Sequence, residues 1–241
     1  MRAGIFLSLA LGVLLVVGGI ASAGGSRPRF DTDKDRYRHR EMVVTTLHND
    51  TDRTLRLTSE WSIREKGGPV RARMYWGEPL DEVAPGETRT WRWPQDFNDC
   101  GRPQGACMDV GGNVPPGRYE VQAEIDGVKI TRRFDIGRYF TLGFSRSADE
   151  FVLWANDEGT IRRLTREARA EERTMIVSGV VRKERPYNRE WTYTMGPRSI
   201  SLSETAPESC DQAPRYVKAH RAGWMGKRWC PSSGYVKRAG R

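Results

Sequence analysis

The chain is poor in the residues that most often do chemistry at the centre of a fold. It has three histidines, His39, His48 and His220, and four cysteines, Cys100, Cys107, Cys210 and Cys230. The histidines do not stand at ligand spacings, and no two cysteines form a C-x-x-C pair. Together these absences exclude the usual zinc readings. Asp31, Asp33 and Asp35 resemble the start of a calcium loop. Such a loop needs Gly at its sixth position and Glu at its twelfth, where this chain has Arg36 and Met42. There is no Gly-x-Ser-x-Gly elbow, no His-Glu-x-x-His and no phosphate loop. No cofactor is implied, and an enzyme is not expected. The acidic pairs Asp149-Glu150, Asp157-Glu158 and Glu171-Glu172 read as solvated turns and helix ends. A hydrolase built on paired carboxylates stays a distant alternative.

Long apolar runs are also missing, with one exception. Met1-Arg2 precedes an apolar stretch from Ile5 to Ala21, and Ala21-Ser22-Ala23 follows as a small-x-small site. This is the pattern of a secretory signal peptide over residues 1–23, with a mature start at Gly24. The expectation is a secreted or periplasmic protein with no membrane span after cleavage. No cysteine stands at the junction to take a lipid.

Charge is unevenly spread. Residues 24–142 hold 20 Lys+Arg and 19 Asp+Glu, whereas residues 143–241 hold 19 and 12. The second half could therefore meet an anionic wall polymer or an acidic envelope protein. Nucleic acid is not expected of an exported chain without a binding motif. Residues 24–40 are charged and nearly free of aliphatics, and read as a flexible arm.

From about 41 to 140 the pattern has period two. Val43, Thr45 and Leu47 share one strand face, and Leu55, Leu57, Trp61 and Ile63 another. Ala72, Met74 and Trp76 follow, then Trp91 and Trp93 around Arg92. Tyr119, Val121, Ala123 and Ile125 alternate with charged or polar residues. Asp126-Gly127 then turns into Val128, Ile130 and Phe134 as a two-residue hairpin. Short alternating strands with Gly/Pro turns predict an all-β antiparallel sandwich of immunoglobulin-like type.

Beyond a boundary near Gly137 to Gly143 the pattern changes, and residues 143–241 read as a small α+β domain. Phe151 to Trp154 is a strand. Asn156 or Asp157 caps a helix to about Glu172 that turns Ile161, Leu164 and Ala168 to one side. Met175 to Val181, Trp191 to Met195 and Ser199 to Ser203 are strands. Pro214 opens a second helix with Val217, His220 and Trp224 on one face, and Gly226 ends it. Four cysteines allow three pairings. Local pairs, Cys100–Cys107 across a Gly/Pro turn and Cys210–Cys230 around the second helix, are expected.

The stretch from Glu150 to Val236 resembles a small exported family named after the N-terminal domain of the protein BP-seventy-four. The matching residues are Phe151, the Ile161–Ala168 helix, Ile176 with Gly179, and Trp191 with Tyr193. They continue through Glu208 with Cys210-Asp211, Pro214 with Val217, and Trp229-Cys230-Pro231. Met195 and Ser232 depart from the pattern. The resemblance implies fold, disulfide and export, and no chemistry. The first domain is similar, more loosely, to bacterial immunoglobulin-like modules, including a proteinase-inhibitor sandwich. The similarity rests on Asn49-x-Thr51, Pro85-Gly86-Glu87 and Pro116-Gly117-x-Tyr119.

The candidate contact surface lies in the second domain. Tyr216, Trp224 and Trp229 stand among Arg198, Arg215, Arg221 and Arg228, and rigid rings beside guanidinium groups make good contact surfaces. The expected function is an exported, non-enzymatic binding protein of the cell envelope or exterior. The alternative is a proteinase inhibitor acting through the sandwich loops, above all Cys100–Cys107.

Overall fold

The computed structural model describes residues 27–75, 82–99, 108–183, 186–188 and 190–240. The signal-peptide segment and the Cys100–Cys107 pair lie outside the described residues.

The first strands are β1 (Arg29–Thr32), β2 (Arg36–Arg38), β3 (Val43–His48), β4 (Leu55–Glu65), β5 (Val70–Tyr75) and β6 (Glu82–Val83). They continue as β7 (Thr88–Trp93), β8 (Asp96–Asp99), β9 (Met108–Asn113), β10 (Gly117–Ile125), β11 (Val128–Phe144) and β12 (Ser147–Ala155). Then come α1 (Glu158–Glu167), β13 (Ile176–Lys183), β14 (Tyr193–Met195) and β15 (Ser201–Ser203). The chain closes with α2 (Pro214–Ala219), α3 (Arg221–Trp224), β16 (Arg228–Trp229) and β17 (Gly234–Ala239).

The molecule is mostly β. One sheet has the order β1-β3-β7. A larger sheet runs β12-β11-β10-β4-β5-β8-β9 and curls into a half-barrel. A third runs β14-β13-β15, with β16 also on β13. The pairing is not wholly antiparallel as expected from the short turns, because β2 lies parallel to β11 and β5 parallel to β8.

Alternation explains the strands of the first unit. In β3 every second side chain is buried, and in β10 Tyr119, Val121, Ala123 and Ile125 point inward together. One face can then join a core while the other meets water. Asp126 and Gly127 both take positive φ, 50° and 77°, and set Ile125 opposite Val128. That is the turn a right-twisted hairpin requires. The resulting core gathers Leu47, Leu57, Trp61, Trp93, Tyr119 and Phe134 from both sheets.

Residues 29–38 are not an arm. β1 pairs with β3 and β2 with β11, and Tyr37 is fully buried. Its ring stands edge-on to Phe134, and its hydroxyl donates to Asp33 at 2.5 Å. The composition of this segment hid a pair of short edge strands whose few apolar side chains, Phe30 and Tyr37, reach the core.

The second core begins at Phe140 and takes in Phe151, Leu164, Trp191, Tyr193 and Trp229. Strand β11 crosses from one core to the other unbroken. Its first half pairs with β10, and its second half lies between β12 and β17. Gly137 marks the crossing. A Cβ there would stand 2.3 Å from the Ala155 carbonyl oxygen and 2.8 Å from the Trp154 ring, so only glycine fits.

Helix α1 starts as expected, with the Asp157 carboxylate accepting from the Thr160 N–H at 2.7 Å. It stops at Glu167 rather than Glu172. Beyond Ala168 the next positions on its inner face are the charged Glu171 and Glu172, which have nothing to bury. The expected second helix is two short ones. His220, at φ −107° and ψ 27°, breaks it between α2 and α3. Gly226 does turn the chain, with φ 82°. Cys210 and Cys230 form a disulfide.

Candidate functional site

The aromatic–arginine face expected in the second unit does not assemble. Tyr216 is 46% exposed and stacks on His220, with ring centroids 4.1 Å apart. Trp224 is half-buried against the second core. Trp229 is fully buried, and its indole N–H donates to the Gln212 carbonyl at 2.8 Å. Its large ring fills the space between Phe144, Phe151 and Tyr193, as a small domain's core demands.

Three of the four arginines are tied into the structure. Arg215 grips Asp149 through Nε and Nη2, with Nη2 2.6 Å from Oδ1. Arg221 donates to the Thr192 carbonyl at 3.2 Å. Arg228 Nη1 donates to the hydroxyls of Ser178 and Ser201 and to the Ser199 carbonyl. Only Arg198 remains a candidate contact, and it belongs to a different place.

The Asp149–Arg215 pair makes a prediction. The hydrogen bonds from Arg215 hold the Asp149 carboxyl below its usual range. A depressed folded value stabilises the protein above the unfolded value of about 3.9, and the benefit disappears as pH falls through the folded value. Arg215→Ala should therefore melt below the parent at pH 7, with the gap closing as pH falls through the lowered Asp149 value. Parallel thermal melts across this range check it. A gap that persists at low pH would show that the pair contributes packing rather than charge.

A cleft of about 700 Å³ lies where the two units meet. Strand β2 and the residues before it bring Lys34, Asp35 and Arg36, and the β4–β5 turn brings Lys66. β10 brings Arg118 and Tyr119, while β11 brings Arg133, Phe134, Asp135 and Tyr139. Tyr187 closes it from the second unit. Alternation along β11 buries Phe134 and Ile136 in the first core, with an edge of Phe134 still reaching the cleft, and turns Asp135 between them to the cleft side. A recess of about 320 Å³ shares Lys66 and Arg118 with this cleft and extends to Asp157, Thr160 and Arg198.

The charges here are not evenly matched. Glu65 is held by Arg71 Nη2 at 2.7 Å, and Asp35 by Arg132 Nη2 at 3.1 Å. Asp157 is occupied in capping α1. Asp135 faces Arg118 Nε at 3.7 Å, and burial pushes its carboxyl above the usual range against the pull of Arg118 and Arg36. Among the cations, Lys34 pairs with Glu41 and Arg133 with Glu120. Arg36, Lys66 and Arg198 form no ion pair among the described residues. The Arg36 guanidinium lies 5.1 Å over the Tyr187 ring, and its Nε is buried without a hydrogen-bond partner. Tyr187 in turn meets Tyr139 edge-on at 5.3 Å.

Sequence reasoning missed all of this except Arg198. The cleft residues come from distant stretches, and the segment carrying Arg36 looked like a loose tail. No three of His, Cys, Asp or Glu converge to hold a metal ion among the described residues. His48 touches Thr88 Oγ1 at 2.6 Å and Asp50 at 3.0 Å. This line has the order of a hydroxyl–imidazole–carboxylate relay. It spans the His48–Thr88 register pair of β3 and β7, as an ordinary cross-strand contact does.

No curated protein matches the chain. Among solved structures, the Pseudomonas fluorescens alkylpurine DNA glycosylase AlkC bound to DNA containing an abasic site analog is 15% identical, with a TM-score of 0.28. The match covers 45% of this chain and 29% of that one. The likeness is too slight to carry an argument about fold or activity. The family model for the N-terminal domain of BP-seventy-four matches residues 137–240, which hold the second core and the Cys210–Cys230 disulfide.

Proposed function

We propose that the chain is an exported, non-enzymatic binding protein whose ligand enters the cleft between the two units. The observation that carries this reading is the set of cations Arg36, Lys66 and Arg198, which line the cleft and its recess and form no ion pair within 4 Å among the described residues. Cations in a concave site that are not committed to an ion pair can meet a ligand without first breaking one. The signal-peptide pattern of residues 1–23 supports export. An immunoglobulin-like origin for the first unit is supported by Tyr119, whose hydroxyl donates to the Pro115 carbonyl at 2.5 Å, as the corner tyrosine of such domains does. The inhibitor alternative rests on the Cys100–Cys107 loop, which lies outside the described residues.

A hydrolase reading has one observation in its favour. Asp35 and Asp135 both line the cleft, and Asp135 has the raised carboxyl of a general acid. Asp35 is held by Arg132, which works against an opposed pair.

The test is a thermal-shift screen of the purified chain against envelope lipids, peptides, and neutral and charged glycans. At least one class should raise the melting temperature with dose and without turnover, and Arg36→Ala/Lys66→Ala should abolish the rise. A hit that this double variant leaves intact overturns the cleft. Turnover of a hit, abolished in Asp135→Asn, overturns the non-enzymatic reading in favour of the hydrolase.

A further inference from the structure

The proposed binding role leaves the ligand open, and the cleft's chemistry narrows it. The following rests on that reading. We propose that the cleft and its adjoining recess hold one acidic polysaccharide chain, with anionic groups spaced along a run of sugar rings.

The first argument is shape. The cleft and the recess adjoin at Lys66 and Arg118, which line both, and each holds a further cation. Arg36 stands in the cleft, Lys66 at the junction and Arg198 in the recess. A single small anion would use one of these positions. A chain with repeating charge uses all three, and each contact is a charge-assisted hydrogen bond.

The second argument is the state of the rings. Single-stranded nucleic acids are held by aromatic faces on which bases stack. Here the Tyr187 ring is covered by Arg36. Tyr139 is hemmed by Trp154 at 4.5 Å, by Tyr187 and by the Arg38 guanidinium at 5.9 Å. Rings packed in this way offer no open platform for a base, and the Tyr187 hydroxyl is engaged with Thr194 Oγ1 at 3.0 Å, so a ligand here is held by its charges rather than by stacking.

The third argument is Asp135. A carboxylate among cations would repel every anion that enters, yet it lies 3.7 Å from Arg118 Nε and in register with Arg36. Sugar hydroxyls can donate to Asp135 while the acid groups of the same chain lie on the cations. A ligand that is anionic and hydroxyl-rich satisfies both.

The experiment is equilibrium binding of the full mature chain, by fluorescence anisotropy at two salt concentrations. The probes are labelled polygalacturonate, dextran sulfate, neutral dextran and a single-stranded oligo-dT. Polygalacturonate or dextran sulfate should bind and weaken with salt. The uronate and sulfate arms separate the two sources of charge. Neutral dextran should not bind, and oligo-dT should bind at least tenfold more weakly than the better glycan. Arg36→Gln, Lys66→Gln and Arg198→Gln should each lower the affinity about five- to tenfold. Asp135→Asn, which keeps the shape, should change it by at least threefold in either direction. Circular dichroism melts confirm that each variant is folded.

Tight binding of oligo-dT alone overturns the proposal in favour of nucleic acid. Glycan binding unaffected by all three cation variants overturns both this proposal and the cleft. Cleft variants that abolish binding of a neutral hit from the screen, with no acidic glycan bound, keep the cleft and overturn the charge class.

Discussion

Replacing Trp229 by alanine should lower the stability by about 3–5 kcal/mol, the largest loss expected from any one residue here. The ring is fully buried and touches three other aromatic residues. Its removal leaves a void that β16, only two residues long, cannot collapse to fill. It also leaves the half-buried Gln212 carbonyl without its indole donor, a smaller loss because water can reach that group. Urea unfolding followed by circular dichroism measures the effect. A loss below about 1.5 kcal/mol would show that the site relaxes around the missing ring, and that Trp229 is not the centre of the second core.

Removing the Cys210–Cys230 disulfide should cost about 3 kcal/mol. The bond closes a loop with a sequence separation of 20, and loop-closure entropy for that length gives this value. The pair joins the turn before α2 to β16, and the Cys230 N–H donates to the Cys210 carbonyl at 2.9 Å. Cys210→Ala/Cys230→Ala should therefore shift the urea midpoint down, and adding reductant to the parent should reproduce that shift. Reductant with no effect on the midpoint would mean that the bond carries none of the stability. Because Trp229 adjoins Cys230, the two losses should not add when combined.

Much of the secondary structure was legible because it depends on local pattern. The alternation of β10, the Asp126-Gly127 turn and the Asp157 cap each rest on a few neighbouring residues whose physics does not need the rest of the chain. Met195, out of place against the family pattern, is explained by burial. It is fully enclosed and packs on Gly179, where a Cβ would come within 2.9 Å of its side chain. Ser232, the other departure, binds Asp211 through both its N–H and its hydroxyl.

The candidate site was not legible, for two reasons. Tyr216, Trp224 and Trp229 are near each other in sequence and differ in exposure, because a break at His220 puts the first two on separate helices and the Gly226 turn puts the third on β16. The cleft is built from five stretches between Lys34 and Tyr187, joined only by sheet register. The parallel contact of β2 with β11, which sets Arg36 beside Asp135, leaves no periodic trace in the sequence.

The family match begins at residue 137, inside β11. A chain cut there would divide one seventeen-residue strand between its two sets of partners, with residues 128–136 kept on β10 and the contacts with β12 beginning at Arg138. The two units are joined by unbroken strand rather than by a linker, and a new partner for either would have to keep glycine at position 137, where a Cβ meets the Ala155 carbonyl. A force or ligand that strains one unit reaches the other along a single continuous strand.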